Sequence, residues 1–222
     1  MILATKRHKS SKSIQSIELF RKERPKTLMW NERYASNEFA YGTEPNAFLR
    51  QNAKLLTSPV LSLGEGEGRN AVFLASLGLN VLGVDASDVG LAKAQQLAAS
   101  RGLVIRTEVA DLASYEPPEN HYGSVISISA HLPSKTRSRL YPLVERSLKA
   151  GGIILLEAYA KAQISRDTGG PKDIDMLMDL AELEHQFSNC EPILAREIER
   201  EVIEGKFHTG LACVVQFIGR KK

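Results

Sequence analysis

Three glycines alternate with two glutamates in LSLGEGEGRNAVFLA (residues 61–75), and it is here that residue type and spacing first suggest chemistry. Gly64, Gly66 and Gly68 follow an apolar run and precede a helical pattern, so the chain turns there without side chains. Glycine admits positive φ and removes the Cβ that would hold a ligand at a distance. Seventeen residues beyond Gly68 stands Asp85, in NVLGVDAS, closing a second apolar run. A carboxylate so placed can accept both hydroxyls of a ribose diol, as in doubly wound folds that hold adenosine cofactors. Asp85 can equally serve as a helix N-terminal charge beside a Ser87 cap, and the two roles are compatible.

The composition of the loop narrows the ligand. A dinucleotide fingerprint begun at Gly64 needs glycine at 69, and one begun at Gly66 needs it at 71; Arg69 and Ala71 stand there. Glu65 and Glu67 make the loop acidic, which suits a positively charged ligand better than a pyrophosphate.

The elements that must position these residues alternate along the chain. Apolar spacing predicts a helix over 44–56, with Pro45 near its start, a strand over 59–63, a helix over 68–77 and a strand over 80–84. A helix over 87–101 follows, capped by Ser87 and stopped by Gly102, then strands over 103–110 and 123–130. A helix over 134–150, bent at Pro142 and stopped by Gly151-Gly152, leads into a strand over 153–159. Such alternation is the pattern of a parallel sheet wound on both faces. After a further helix around 174–187, two β-rich stretches join near Glu204-Gly205, a link that allows only a hairpin. The expected fold class is therefore α/β: a doubly wound, seven-stranded, mostly parallel sheet with an antiparallel C-terminal hairpin.

Composition excludes several alternatives. The chain has 222 residues, 43% of them hydrophobic, enough for one full-sized core with an extension. No apolar run approaches the ~18–20 residues that span a bilayer, and no secretory signal is expected. Cys190 and Cys213 match no metal spacing and read as reduced thiols of a cytoplasmic protein. His8, His121, His131, His185 and His208 form no metal-binding pair, so no metal is expected. Residues 1–28 carry a net charge of +6 and the remainder −3, which sets a basic N-terminal extension, one that can remain disordered, apart from a domain over 29–222. Such a tail could touch nucleic acid or an anionic membrane, but a solvated extension is the simpler reading. Nothing in the sequence sets the oligomeric state.

Four segments in order, VLSLGEGEGRNAVFLA, VLGVDAS, VADLASYEPPENHYGSVIS and LKAGGIILLEAY, resemble the class I S-adenosylmethionine-dependent methyltransferases. WNERYASNEFAYGTEPNAFL and TGGPK resemble, within that family, the tellurite-resistance and thiopurine methyltransferase-like branch. The resemblance covers residues 28–220 and implies a Rossmann-like methyltransferase fold, S-adenosyl-L-methionine as cofactor and a small-molecule acceptor, such as a thiol or a selenium or tellurium oxyanion. It implies cofactor contacts from Gly64, Gly66, Gly68 and the neighbouring Asn70, the ribose on Asp85 with Ala86, and adenine against Asp111 and Leu112. Ser129, Ala130 and His131, closing the fourth strand, are the expected catalytic positions, His131 as a base or substrate orienter. The family often has an acid at position 62 and a small residue at 65; here Ser62 and Glu65 stand there, and Glu65 is expected to take over the cofactor ammonium. Glu67 is expected to face solvent.

Trp30, Tyr34 and Tyr41 could form a lid that excludes water, Glu157 and Tyr159 could border the acceptor pocket, and Arg166 and Lys172 could attract an anionic substrate. The alternatives are a cofactor-binding module without catalysis, a nucleic-acid methyltransferase and a nicotinamide-dependent oxidoreductase. SAHLP stands where an amino-methylating enzyme would carry Asp/Asn-Pro-Pro-Tyr/Phe, so nucleic acid is not an expected partner.

Overall fold

The computed structural model describes residues 26–222. The basic extension drawn at 1–28 lies outside the described residues except for its last three, which open helix α1 (Lys26–Tyr34). The sheet comprises β1 (Val60–Leu63), β2 (Val81–Asp85), β3 (Arg106–Val109), β4 (Tyr122–Ile128), β5 (Leu148–Tyr159), β6 (Cys190–Glu204) and β7 (His208–Lys221). Its order is β3-β2-β1-β4-β5-β7-β6. The first five strands are parallel, and β7 enters antiparallel between β5 and β6.

Helices α2 (Ala47–Asn52), α3 (Arg69–Ser76), α4 (Asp88–Ser100), α5 (Ser134–Ser147) and α6 (Leu180–Gln186) cover the sheet. Strand side chains alternate between two cores, as the pleat requires. Leu61, Val125, Ile154 and Leu156 join Leu140, Val144 and Leu183 on the α5–α6 side. Val60, Ile126, Ile153 and Leu155 join Leu49, Leu74 and Leu97 on the α2–α4 side. Ser87 caps α4 by accepting from Gly90 N at 3.0 Å, and Asn46 caps α2 by accepting from Leu49 N at 3.0 Å.

Several boundaries differ from expectation, among them the helix expected over 44–56, which is α2 followed by a 3-10 turn, Ala53–Leu55, and the strand expected over 123–130, which ends at Ile128. Helix α5 stops at Ser147, because Leu148 turns extended and pairs with Tyr122; the glycine pair at 151–152 lies inside β5. The third strand is short and edge-exposed, 106–109 rather than 103–110. The expected helix over 174–187 resolves into a 3-10 turn, Ile174–Met176, and the shorter α6. Among the described residues no helix is long and apolar enough to cross a membrane.

Candidate functional site

Strand order reverses at β1 and β4, and the crevice beyond their carboxyl ends is where open α/β sheets take ligands. The glycine loop lies there. Gly64, Gly66 and Gly68 all have positive φ, at 64°, 60° and 94°. A Cβ at Gly68 would sit 2.6 Å from Ala94, so this glycine serves the packing of α3 on α4. A Cβ at Gly66 would sit 2.7 Å from the Tyr34 hydroxyl, so here the loop is covered by a ring from α1. The same ring lies on Gly90, and Trp30 stacks on it at 5.7 Å. Ala130 abuts Gly64 and joins the ends of β4 and β1.

Asp85 closes β2 beneath this loop. Its oxygens accept from Gly66 N at 2.9 Å and Ser87 N at 2.8 Å. Burial raises its pKa, and hydrogen bonds from the Ser87, Gly66 and Ala86 backbone oppose the rise. Asp111 lies one strand over, beyond the end of β3, and the Asp85 carbonyl accepts from Ala110 N at 2.9 Å. Asp111 is exposed, with Oδ1 accepting from Ala113 N at 2.8 Å. The glycines, Asp85 and Asp111 thus form one row along the strand ends. The row fits an adenosine cofactor: a side-chain-free loop followed by two carboxylates on successive strands.

Several expected residues face elsewhere. Glu65 turns inward: Oε1 accepts from Ala71 N at 2.9 Å, Oε2 is bonded to the Ser62 hydroxyl, and burial pushes its pKa up to about 7. Both oxygens serve the loop, so contact with an ammonium does not fall to Glu65. Glu67 is buried rather than solvent-facing; it accepts from Ala40 N at 2.8 Å and pairs with Lys93 at 2.5 Å. Lys93 also reaches the carbonyls of Ser36 at 2.8 Å and Glu38 at 2.7 Å, pinning the segment after α1. Asn70 accepts from Asn46 N at 3.0 Å and so ties α3 to the start of α2. The Leu112 side chain belongs to the α5–α6 core.

His131 is also turned away from base chemistry. Its Nε2 accepts from Tyr159 N at 3.1 Å and its ring stacks on Tyr159 at 5.3 Å. Burial, with His208 nearby, pushes its pKa down to about 3, against a hydrogen bond with the Ser129 backbone. With Nε2 accepting from the Tyr159 N–H, His131 is placed to position Tyr159 at the end of β5. Ser129 adopts φ 55°, a left-handed conformation uncommon outside glycine, at the mouth of the crevice. Arg166 pairs with Glu199 and Lys172 with Asp167, so neither is a free cation for an anionic substrate.

Beside the row, beyond β5, lies a buried ionic cluster that sequence reasoning located only through Glu157 and Tyr159. Glu157 accepts from Asn46 at 2.7 Å, Arg200 at 2.5 Å and Gln216 at 2.5 Å. Glu204 accepts from Asn46 at 2.8 Å, Arg69 at 2.6 Å and Arg200 at 3.0 Å. Burial opposes ionisation of Glu204, but His208, Arg69 and Arg200 together hold its carboxyl well below the usual range. A small, water-sized cleft bordered by Ser129, Glu157, Tyr159, Arg200 and Glu204 lies between this cluster and the end of β4. The available signal was REVIEGKFHTG (200–210), where charges recur on one face of a strand running into a hairpin turn.

The sheet order, with β7 inserted antiparallel between β5 and β6, is that of the methyltransferase Rossmann-like fold. Residues 60–152 match the family model described as a methyltransferase domain. A curated relative, 2-heptyl-1-hydroxyquinolin-4(1H)-one methyltransferase from Mycobacteroides abscessus, is 27% identical over 118 residues, which cover 52% of this chain and 52% of the relative. The match thus spans about half the length of that protein.

Among solved structures, one described for the conversion of a disulfide bond into a thioacetal group during echinomycin biosynthesis aligns with a TM-score of 0.69 and 19% identity, covering 89% of this chain and 93% of the other. TehB from Haemophilus influenzae aligns at 0.67 and 21%, covering 89% and 67%. Magnesium protoporphyrin IX methyltransferase from Synechocystis PCC 6803 aligns at 0.57 and 18%, covering 79% and 76%. These likenesses are of fold, and TehB is one neighbour among several branches.

Proposed function

We propose that the protein is an S-adenosylmethionine-dependent methyltransferase acting on a small molecule. The observation that carries this reading is the adjacency of two differently built compartments: the glycine loop with Asp85 and Asp111, and the polar cleft that begins at Ser129. When bound, the cofactor supplies an activated methyl group on a sulfonium. In this reading Asp85 holds the ribose, the backbone of the Gly64, Gly66 and Gly68 loop passes beneath the methionine portion, and Asp111 meets the adenine amino group. Tyr34, already lying on Gly66, excludes water from that end. Ser129 and Ala130 separate the two compartments and set the acceptor's approach. Positioning of this kind can be worth ~7–11 kcal/mol of a barrier.

The finer reading is an acceptor whose nucleophile is a soft heteroatom or an acidic hydroxyl. With His131 neutral and engaged, the site favours a nucleophile that arrives ionised or loses its proton readily. The name of the curated relative supports this range, being that of a hydroxyquinolone methyltransferase. Calorimetric titration with S-adenosylmethionine, S-adenosylhomocysteine and NADH tests the reading. Micromolar binding of both adenosyl ligands, none of NADH, and at least about a hundredfold loss in Asp85→Ala is the expected outcome. Absence of adenosyl binding in the unaltered protein would refute it. Thiol, selenium, tellurium and aromatic hydroxyl acceptors then form the first methylation screen.

A further inference from the structure

The ammonium of Lys93, on α4, is enclosed by the segment that follows α1. It donates to the Ser36 carbonyl at 2.8 Å, the Glu38 carbonyl at 2.7 Å and Glu67 Oε1 at 2.5 Å, which engages all three of its protons. The Tyr34 carbonyl stands 3.5 Å away, and the Phe39 ring lies 4.8 Å from the same nitrogen. Glu67 Oε2 completes the enclosure by accepting from Ala40 N at 2.8 Å. Both side chains of this ion pair are largely buried. The path of residues 34–40 is thus fixed by main-chain bonds to one lysine and one glutamate.

Little else holds that path. Residues 35–38 are all exposed, and stretches with few buried contacts open locally unless hydrogen bonds tie them. What they hold down is Tyr34, 5% exposed, whose hydroxyl lies over Gly66 and whose ring edge lies over Gly90. Asn31 ties α1 to the start of α4, its amide donating to Asp88 at 2.8 Å and its oxygen accepting from Ser87 Oγ at 2.6 Å. Asp85, bonded to Gly66 N and Ser87 N, lies between these two attachments and is 8% exposed. Burial and, after it, the Asp85 charge raise the pKa of Tyr34, so ring and carboxylate are close neighbours. A ribose cannot reach a carboxylate so covered until the ring above it lifts.

We propose that Lys93 is a positioning residue of the cofactor compartment: its bonds latch Tyr34 over Gly66 and Asp85, and release of residues 34–40 from them is the step that admits and discharges the adenosyl ligand. The proposal rests on the methyltransferase reading and adds to it the group that times cofactor exchange.

Trp30 is the single tryptophan of the chain and stacks on Tyr34 at 5.7 Å, so its emission follows the latch directly. Rapid mixing with S-adenosylhomocysteine, read by that emission, is expected to give a rate that levels off as ligand rises, because opening precedes binding. Lys93→Met keeps the stem and removes the donors. It should raise the plateau, and speed dissociation, at least about tenfold, the worth of one charged hydrogen bond. Lys93→Arg keeps charge and donors and should restore most of the difference, which a merely structural role would not produce. Asn31→Ala cuts the attachment at Ser87 and Asp88; it should act in the same direction, and it decides the question if Lys93→Met fails to fold.

A rate that climbs in proportion to ligand, or a plateau that neither Lys93→Met nor Asn31→Ala moves, would overturn the proposal. The heat of S-adenosylhomocysteine binding is measured separately, and its absence would refute the methyltransferase reading instead. In that event the ligand-free protein still tests the latch: Trp30 emission should shift to the red in Lys93→Met, and an unshifted spectrum would overturn it.

Discussion

The two compartments on this sheet are built in opposite ways. The cofactor side is local: Gly66 and Asp85 are 19 residues apart, Glu65 and Ala71 only 6, and the partners are mostly backbone N–H groups. The ionic cluster beside it is assembled across the chain by side chains: Asn46 meets Glu204 158 residues away, and Arg69 meets Glu204 135 residues away. A loop that depends on positive φ requires particular residue types in a short stretch. A network of charges needs only that complementary groups arrive at one place, by any path the topology allows. The first kind of site should therefore resist local backbone change poorly, and the second should resist loss of a single charge poorly.

The largest expected effect breaks the second compartment. Glu204→Ala leaves the buried guanidiniums of Arg69 and Arg200 short of a counter-charge, and should cost about 3–5 kcal/mol in denaturant unfolding. A loss within experimental error would mean that the cluster is hydrated and not a structural unit.

Next comes a pH effect in the first compartment. Glu65 has a folded-state pKa of about 7 against an ordinary 4.5, so its contribution is fully present below 4.5 and declines as the pH rises toward 7. That interval corresponds to about 3 kcal/mol, and Glu65→Gln should flatten it in stability measured from pH 4 to 8 (about one buried group's worth). The same substitution should leave S-adenosylmethionine affinity nearly unchanged, because the amide can keep both loop contacts. A large loss of affinity would return Glu65 to the ligand.

The smallest of the three sharpens the local side. Gly68→Ala forces a Cβ toward Ala94 at positive φ and should lower stability by about 1–3 kcal/mol, visible in thermal unfolding.

The same contrast explains what could be read from the sequence. The strand–helix alternation, the antiparallel end and the placement of Asp85 follow from apolar periodicity and turn chemistry, which act over short distances. Glu65, Glu67 and His131 are where this reading misled. An acidic side chain in a loop gives no sign of its direction, and the structure turns both glutamates onto backbone N–H groups within the fold. His131 stands at the expected strand end, but its ring is captured by the Tyr159 N–H, a contact set by the pairing of β4 with β5. Arg69 counted only as a missing glycine, and His208 only as a histidine without a metal partner. Their meeting at Glu204 depends on a hairpin turn folding back across the sheet.

The hairpin also bears on the order of events during synthesis. Gly205 lies against the backbone of Ala40 and Tyr41, and Asn46, Arg69, Glu157, Arg200 and Gln216 share one set of bonds. The glycine loop can close on Asp85 once the first two strands have left the ribosome, whereas the ionic cluster is incomplete until β7 is inserted between β5 and β6. Contacts of such long sequence separation form late and slowly. A nascent chain therefore holds the glycine turn long before the ionic cluster exists, and any step that needs both waits for the last strand.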